Sequence, residues 1–162
     1  MLPTSEPIKT EELVLISHSL RDREIVLKIK DELTKKSKYN VKLSEYGSGL
    51  ENLINNVEKS QIIMVVLTED YEYDKICHLE LKYACLLGKI LVPVVFESNY
   101  MHNKEWTREI FTNKCKFYIN KSKYKDCIKK TIMRELDFYL MKTEFDKKPV
   151  TEKKRIPFMA FF

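Results

Sequence analysis

Short, uninterrupted apolar runs alternate along this chain with longer segments in which apolar residues recur at every third or fourth position. The runs are typical of parallel strands buried on both faces, and the periodic segments are typical of amphipathic helices. The pattern predicts five strands, at residues 13–16, 41–43, 61–67, 90–96 and 117–119. It predicts helices at 21–36, 50–59, 74–88 and 122–142, with a further helical turn or two within 97–113. We therefore predict an α/β domain over 12–142, with a five-stranded parallel sheet and helices on both faces.

The two ends of the chain lack this pattern. Residues 1–11 are polar and acidic, and 143–162 combine a highly charged stretch with an apolar end, IPFMAFF. We interpret the first segment as a leader and the second as a tail or linker, whose end either docks on the domain or continues into a longer chain. No apolar run approaches the length of a membrane span, and the start does not resemble a signal peptide, so we expect a cytoplasmic protein.

The predicted helix at 74–88 contains a carboxylate, Glu80, among apolar neighbours. Helical spacing puts five large residues on or near one face, and we expect this face to pack on the sheet: Ile76, Leu79, Tyr83, Leu86 and Leu87. Glu80 lies beside that face, together with Cys77 and Ala84. A carboxylate so close to a buried face is either at the wet edge of the domain or placed there for a function.

The predicted topology brings several loops together at one edge of the sheet. In open parallel sheets, ligands bind outside the carboxyl ends of the strands. The loops that begin at these ends should share one rim: those starting at Ser17, Ser44, Thr68 and Glu97. The 74–88 helix starts at this rim and Glu80 follows two turns later, so we expect Glu80 to lie close to it.

The composition further limits the kind of protein and the kinds of site that this chain can form. With 162 residues, 44% of them apolar and 33% charged, the chain can bury the core of one soluble domain without metals or disulfides. The four cysteines and three histidines show no metal-ligand spacing, so we expect reduced thiols and no metal site. The net charge of +5 comes from the Lys-rich last third, whose aromatic residues follow the helical pattern. This favours a solvated helix face over a nucleic-acid surface.

Three nucleotide- or phosphate-handling classes are disfavoured by missing motifs. No GxGxxG follows the first strand and no GxxxxGK(S/T) occurs anywhere, which argues against a Rossmann dinucleotide fold and a P-loop NTPase. A phosphate-accepting receiver domain needs an acidic pair after the first strand and an aspartate after the third. The chain has Ser17-His18-Ser19 and Leu67-Thr68 in those places, so that class does not fit.

Four stretches, in order along the chain, resemble those of a known family. They are LVLISHS at the first strand, the glycine-bearing loop and helix that end at Ser60, VVLTEDY at the third strand, and ICHLELKYACLLGKILVPVVF across 76–96. Together they resemble the TIR (Toll/interleukin-1 receptor) domain over about residues 12–140. The resemblance implies a flavodoxin-like three-layer sandwich around the five-stranded parallel sheet.

TIR domains divide into signalling adaptors, which assemble with other TIR domains, and enzymes that cleave NAD⁺ at the nicotinamide–ribose bond. The resemblance places the catalytic glutamate of the enzymes on Glu80. It implies NAD⁺ as the substrate, no cofactor, homotypic TIR–TIR association, and a role in immune or cell-death signalling. A non-catalytic adaptor is the alternative, and a domain that binds a nucleotide without cleaving it is a third class. Which ADP-ribose product forms, linear or cyclic, is open.

A carboxylate in this position has a clear chemical use. Breaking the bond to a cationic nicotinamide leaves positive charge on the ribose, which a carboxylate stabilises. Nicotinamide leaves as a neutral base, so one glutamate can suffice where ordinary glycosidases use two. The competing interpretation is that Glu80 is a boundary residue hydrogen-bonded to a loop.

The substrate-binding residues implied by the resemblance are expected along the same rim: Ser17, His18, Arg21, Tyr46, Gly47 and Cys77. Each also has an ordinary structural interpretation. Ser17 and His18 suit a local turn and helix cap, Arg21 an exposed first turn, and Tyr46 a surface loop. In the family's enzymes the glycine loop of one protomer completes the site of another, so we expect residues 44–49 to take part in assembly.

The chain departs from the family pattern at Ile76, where the family has tryptophan. Any ring that stacks on nicotinamide or adenine must then come from Tyr71, Tyr73 or Trp106. The loop after the second strand also lacks the proline on which adaptor docking relies, and this weakens the adaptor alternative.

Overall fold

The computed structural model describes residues 13–36, 39–45 and 49–146. Five strands form one sheet: β1 (Leu13–Ser17), β2 (Asn40–Leu43), β3 (Ile62–Leu67), β4 (Ile90–Val95) and β5 (Phe117–Tyr118). Every pairing is parallel, and the order across the sheet is β2-β1-β3-β4-β5. The predicted five-stranded parallel sheet is confirmed, and each strand differs from its predicted span by a single residue.

Helical segments connect the strands within the described residues: α1 (Arg23–Lys36), α2 (Leu50–Lys59), α3 (Glu69–Tyr73), α4 (Lys75–Leu86), α5 (Glu105–Phe111), α6 (Tyr124–Cys127) and α7 (Met133–Asp146). A π-helical turn at Ile128–Ile132 joins α6 to α7. The last helix continues past its predicted end at residue 142, whereas the predicted leader and residues 147–162 lie outside the described ranges. None of the helices in the described ranges is long and apolar enough to cross a membrane.

The strand side chains alternate between two apolar cores, one on each face of the sheet. On one face Ile16 and Met64 pack with residues of α1 and α7. On the other face Leu15 and Ile63 pack with residues of α2, α4 and α5. This is the expected consequence of strands buried on both sides. The three-layer α/β arrangement is therefore confirmed.

The prediction for the face of α4 that is buried is wrong. The residues that face inward are Cys77, Glu80, Leu81 and Ala84. Four of the five residues expected to pack on the sheet are exposed instead: Ile76, Leu79, Leu86 and Leu87. The fifth, Tyr83, is partly buried and packs against the core. Cys77 and Ala84 are small, so α4 can approach its neighbours closely on that side, and the Glu80 carboxylate there meets hydroxyl donors. The larger aliphatic residues consequently remain at the surface.

The segment 68–73, interpreted from the sequence as a loop, contains the short helix α3. Thr68 caps α3, because its hydroxyl oxygen accepts from the Tyr71 backbone N–H at 3.2 Å. Asp74 then ends α3 and caps α4, accepting from the N–H groups of Ile76 at 2.8 Å and Cys77 at 3.0 Å. This cap sets where α4 starts, and therefore where Glu80 lies relative to the sheet.

Candidate active site

The neighbouring strands β1 and β2 both end in a serine at the carboxyl rim, the edge of the sheet formed by the carboxyl ends of the strands. Ser17 is the last residue of β1, and Ser44 directly follows β2. The Ser44 N–H donates to the Ile16 carbonyl oxygen at 3.1 Å, so the two strand ends stay side by side. Both serines are buried, which directs their hydroxyl groups toward a partner inside the domain.

That partner is the carboxylate of Glu80, which is only 2% exposed. The Ser44 hydroxyl donates to Glu80 Oε1 at 2.6 Å. The Ser17 hydroxyl lies near the same carboxylate and acts to lower its pKa. Burial raises the pKa of the Glu80 carboxyl, the bonds from Ser17 and Ser44 act in the opposite direction, and the charge of Asp74 adds to the rise. The site thus contains a desolvated carboxylate that the Ser44 hydroxyl orients, with the Ser17 hydroxyl close by.

Tyr71, from α3, extends this network. Its hydroxyl oxygen lies 2.8 Å from Ser17 Oγ, and the side chain is fully buried. Burial raises the pKa of the Tyr71 hydroxyl well above its usual range, so it stays protonated and can donate. An ionised carboxylate only accepts hydrogen bonds. Tyr71 can therefore donate to Ser17, which leaves the Ser17 proton available to the nearby carboxylate of Glu80.

The end of β1 is tied directly to the start of α4. His18 is buried, and its Nδ1 lies 3.2 Å from the Ile16 carbonyl oxygen. Burial lowers the pKa of the His18 imidazole. The buried Cys77 thiol donates to the His18 carbonyl oxygen at 3.5 Å. The structure thus brings four of the predicted site residues together: Ser17, His18, Cys77 and Glu80.

The remaining predicted site residues are not part of this cluster as described. The Arg21 side chain is exposed, and its Nε lies 3.8 Å from Asp70 Oδ1 at the surface. Tyr46 and Gly47 lie outside the described residues. Arg21 thus lies apart from the Glu80 cluster, and its predicted role in substrate binding, like that of the glycine loop, stays a prediction.

Sequence reasoning missed two members of the site. Ser44 was recognised only as the start of a loop, and Tyr71 only as a candidate ring. The available signal was the serine that ends both neighbouring strands, in LVLIS and VKLS. It becomes useful only once β1 and β2 are known to be adjacent in the sheet, with Ile16 opposite Leu43.

Comparison with known families identifies the fold to which this site belongs. The profile of the TIR domain matches residues 14–130. The chain belongs to the TIR domain family. None of the curated proteins matches the sequence significantly.

Two solved structures share the architecture of this TIR domain. One is the TIR domain of the Toll-related receptor TRR-2 from Hydra magnipapillata, with a TM-score of 0.59, 16% identity, and coverage of 76% of this chain and 97% of that one. The other is the CMP N-glycosidase BcmB of Clostridium botulinum, with a TM-score of 0.53, 11% identity, and coverage of 73% and 99%. At these identities the likeness establishes the fold alone.

An aromatic cluster lies beside α4 at His78, two residues after Ile76, where this chain lacks the family's tryptophan. Ile76 itself is exposed, but Trp106 of α5 stacks on His78, with ring centroids 4.1 Å apart and planes 17° apart. The Trp106 ring is also tilted against Tyr71 at 6.2 Å. Of the three candidate rings, Trp106 therefore lies beside α4, and Tyr71 contacts the Glu80 network directly.

A second buried carboxylate, Glu72, holds this cluster in place. It accepts from the Asn103 N–H at 3.0 Å and from the Thr107 hydroxyl, while its carbonyl oxygen accepts from Trp106 Nε1 at 3.1 Å. Burial acts to raise the pKa of the Glu72 carboxyl, but hydrogen bonds from Thr107 and from the backbone of Asn103 and Lys104 outweigh it, and the pKa lies below its usual value. Glu72 is ionised and fully bonded, which suits a structural role.

Within the described ranges, no group of three or more histidine, cysteine or acidic side chains is placed to bind a metal ion. All four cysteines are free thiols.

Proposed function

We propose that this TIR domain hydrolyses NAD⁺ at the bond between nicotinamide and ribose, with Glu80 as the catalytic carboxylate. The observation that carries the proposal is the Glu80 carboxylate, buried behind the ends of β1 and β2 and oriented by the Ser44 hydroxyl, with the Ser17 hydroxyl beside it. A desolvated, oriented negative charge is effective at stabilising positive charge that develops during a reaction. The N-glycosidase BcmB, which is named for the same class of bond cleavage, shares this fold.

The reaction needs little more than that charge. The bond between ribose C1′ and the pyridinium nitrogen breaks, and its electron pair goes to nicotinamide, which leaves neutral. The ribosyl cation beside Glu80 is then captured by water, which loses a proton to give ADP-ribose. An internal nucleophile of the same molecule would give a cyclic product instead. Glu80 stabilises the cation, and its raised pKa makes it a suitable acceptor for the proton that water releases.

Substrate must displace the present partners of Glu80. The ribose hydroxyls are donors of the same kind as Ser17 and Ser44, so they can replace the serine hydroxyls on the carboxylate. Ser44 directly follows β2, and a movement of Ser44 away from Glu80 would free Oε1. We propose that association with further TIR domains drives this movement, so that an isolated domain is a weak catalyst.

A non-catalytic TIR adaptor is the second candidate. The observation that favours it is the burial of Glu80, whose carboxylate is 2% exposed and already has hydroxyl partners. In an adaptor the same residue would simply fasten α4 to the ends of β1 and β2.

Turnover of concentrated protein separates the two candidates. The domain is incubated with NAD⁺ in a crowding agent, nicotinamide and ADP-ribose are separated by chromatography, and CMP is offered in a parallel reaction. Release of nicotinamide that Glu80→Ala abolishes supports the enzyme. Turnover that survives Glu80→Ala contradicts the role of Glu80, and no turnover under any assembled condition favours the adaptor. Release of cytosine from CMP in place of nicotinamide from NAD⁺ would keep the reaction class and overturn the substrate.

A further inference from the structure

The last helical segment of the described chain, from the turn before α6 into α7, carries a concentration of basic charge. Residues 121–134 contain six lysine or arginine residues and one acid, Asp126. All six basic residues are exposed. The Lys121 ammonium is already engaged, because it lies over the Phe96 ring at 4.9 Å from the centroid. We call the other five the basic face: Lys123, Lys125, Lys129, Lys130 and Arg134.

The π-helical turn between α6 and α7 keeps these charges on one side of the helix. In an α-helix of 3.6 residues per turn, residues four apart drift around the axis by about 40° at each step. A π-helical turn takes more residues and offsets this drift. Three residues at four-residue steps are fully buried: Ile128, Ile132 and Leu136. The residues two positions after each of them are all exposed: Lys130, Arg134 and Phe138.

An apolar side chain extends the basic row of this helix. Phe138 follows Arg134 by about one turn and is 60% exposed. Its ring lies against the Tyr139 ring edge-on, with centroids 5.5 Å apart and planes 70° apart. Helices that lie on membranes combine these features, because their basic residues contact anionic headgroups while an aromatic or aliphatic side chain enters the boundary with the acyl chains.

The neighbouring acids leave the basic face with an excess of positive charge. Asp137 points away from it, since its Oδ1 accepts from the Tyr39 hydroxyl at 2.8 Å. On α1, which packs in the same layer, Glu24 Oε1 lies 3.9 Å from the ammonium of Lys28. A surface that complements the basic face should therefore be anionic.

We propose that the basic face binds the surface of an anionic phospholipid membrane. The helix lies parallel to the membrane plane, its lysine ammonium groups contact the headgroup phosphates and carboxylates, and Phe138 enters the headgroup layer. A membrane fits better than a nucleic acid for two reasons. Four of the five basic residues are lysines, which act as point charges, whereas sequence-reading nucleic-acid sites rely on arginine forks. The charges also follow straight rows on the outside of a helix, which suits a flat partner.

This contact is independent of NAD⁺ cleavage. The α7 helix packs on the sheet face to which Ile16 and Met64 belong, whereas α4 packs on the opposite face. Glu80 belongs to α4. A membrane at the basic face therefore leaves the layer that contains Glu80 directed toward solvent, and the domain would be held at the membrane with its candidate active site open.

Co-sedimentation with vesicles tests the charge of the partner. The protein is mixed with phosphatidylcholine vesicles with and without phosphatidylserine, at low and high salt. Wild type should bind only the vesicles that contain phosphatidylserine, and more weakly at high salt. Lys129→Glu combined with Lys130→Glu should lower the partition coefficient at least about tenfold. Lys75→Glu combined with Lys82→Glu is the matched control, because it makes the same change of charge at exposed positions of α4, and it should bind like wild type.

Phe138→Ala tests the insertion of the ring. It should weaken vesicle binding at least about threefold, because apolar surface no longer leaves water, and it should keep the salt dependence of wild type. Vesicle binding by Phe138→Ala equal to that of wild type would overturn the insertion.

Three results would overturn the membrane proposal itself. The first is a wild type that does not bind phosphatidylserine vesicles, and the second is an equal loss of binding in the two double variants. The third comes from a fluorescent single-stranded oligonucleotide, offered at the same salt. Tighter binding to the oligonucleotide than to the vesicles would assign the basic face to a nucleic acid.

Discussion

Glu80 and Glu72 are both buried carboxylates, but their surroundings differ in a way that assigns them different roles. Glu72 receives backbone and hydroxyl donors that lower its pKa. Glu80 has hydroxyl donors only, and burial still raises its pKa. A group whose ionised form is left destabilised by its surroundings is more typical of a functional site than of a structural contact.

Replacing Glu80 by glutamine should therefore stabilise the domain at neutral pH. The folded pKa of Glu80 is raised, so the contribution of Glu80 to stability is fully present below the unfolded value of about 4.3 and is lost as the pH rises through the folded pKa. Glutamine carries no charge and can still accept from Ser44. We expect Glu80→Gln to gain on the order of 1 kcal/mol at pH 7 and nothing at pH 4. Urea denaturation at both pH values measures this, and a variant less stable than wild type at pH 7 would contradict it.

Glu80 and Ser44 show how far the sequence alone could predict the candidate site. Glu80 was identifiable because a lone acid interrupts an apolar helix and falls on the family's glutamate. Ser44 was not, because its importance depends on β2 being next to β1, with Ile16 opposite Leu43. Which hydroxyl faces which carboxylate is a tertiary fact that a linear pattern does not contain.

At the scale of elements, long periodic segments were predicted well and short ones poorly. The span 50–59 was predicted as a helix and is α2. α3 has only five residues, too few for a period, and its existence depends on the Thr68 cap. For α4, two faces of the helix offered apolar residues, and the sequence favoured the bulkier one. The carboxylate bound by Ser44 fixed the other face inward.

Glu72 links two of these elements, α3 and α5, and its loss should loosen both. The Glu72 carboxylate accepts hydrogen bonds from several N–H and O–H donors. In Glu72→Gln, one of its two acceptor oxygens becomes an NH₂ group, which is a donor and cannot accept them. We expect a loss of about 2 kcal/mol at neutral pH. The folded pKa of Glu72 is lowered, so this difference from wild type should be fully present above the unfolded value of about 4.3 and should shrink as the pH falls through the folded pKa.

The fluorescence of Trp106 tests this prediction, because Trp106 is the only tryptophan in the chain. Its ring stacks on His78, and its position depends on the segment that Glu72 binds. Glu72→Gln should shift the Trp106 emission to longer wavelength, while Glu80→Gln should leave it unchanged. Equal emission spectra for wild type and Glu72→Gln would show that Glu72 does not position α5.

At the scale of the whole molecule, the alternation of apolar runs and amphipathic segments predicted the sheet, its parallel pairing and the helices on both faces. These features follow from the burial of each strand on both faces, and the apolar composition of the strands predicts that burial. The composition of the strands does not predict the assembly of several molecules, and that expectation comes from membership of the TIR domain family.

If substrate access to Glu80 requires association, the rate per molecule should depend on protein concentration. We expect nicotinamide release per domain to rise steeply across the range in which larger species form, and to stay low in dilute samples. Steady-state rates over a dilution series, beside sedimentation of the same samples, measure this. A rate per domain that is constant on dilution would mean that the monomer is already competent.

The measurement that tests the central claim most directly compares nicotinamide release from NAD⁺ by wild type and Glu80→Gln. Both are assayed at the same concentration of folded protein, under conditions in which wild type associates. Loss of one electrostatic partner of the transition state should lower the rate at least about 100-fold, although the variant is folded and no less stable. A Glu80→Gln rate within about tenfold of wild type would contradict the account.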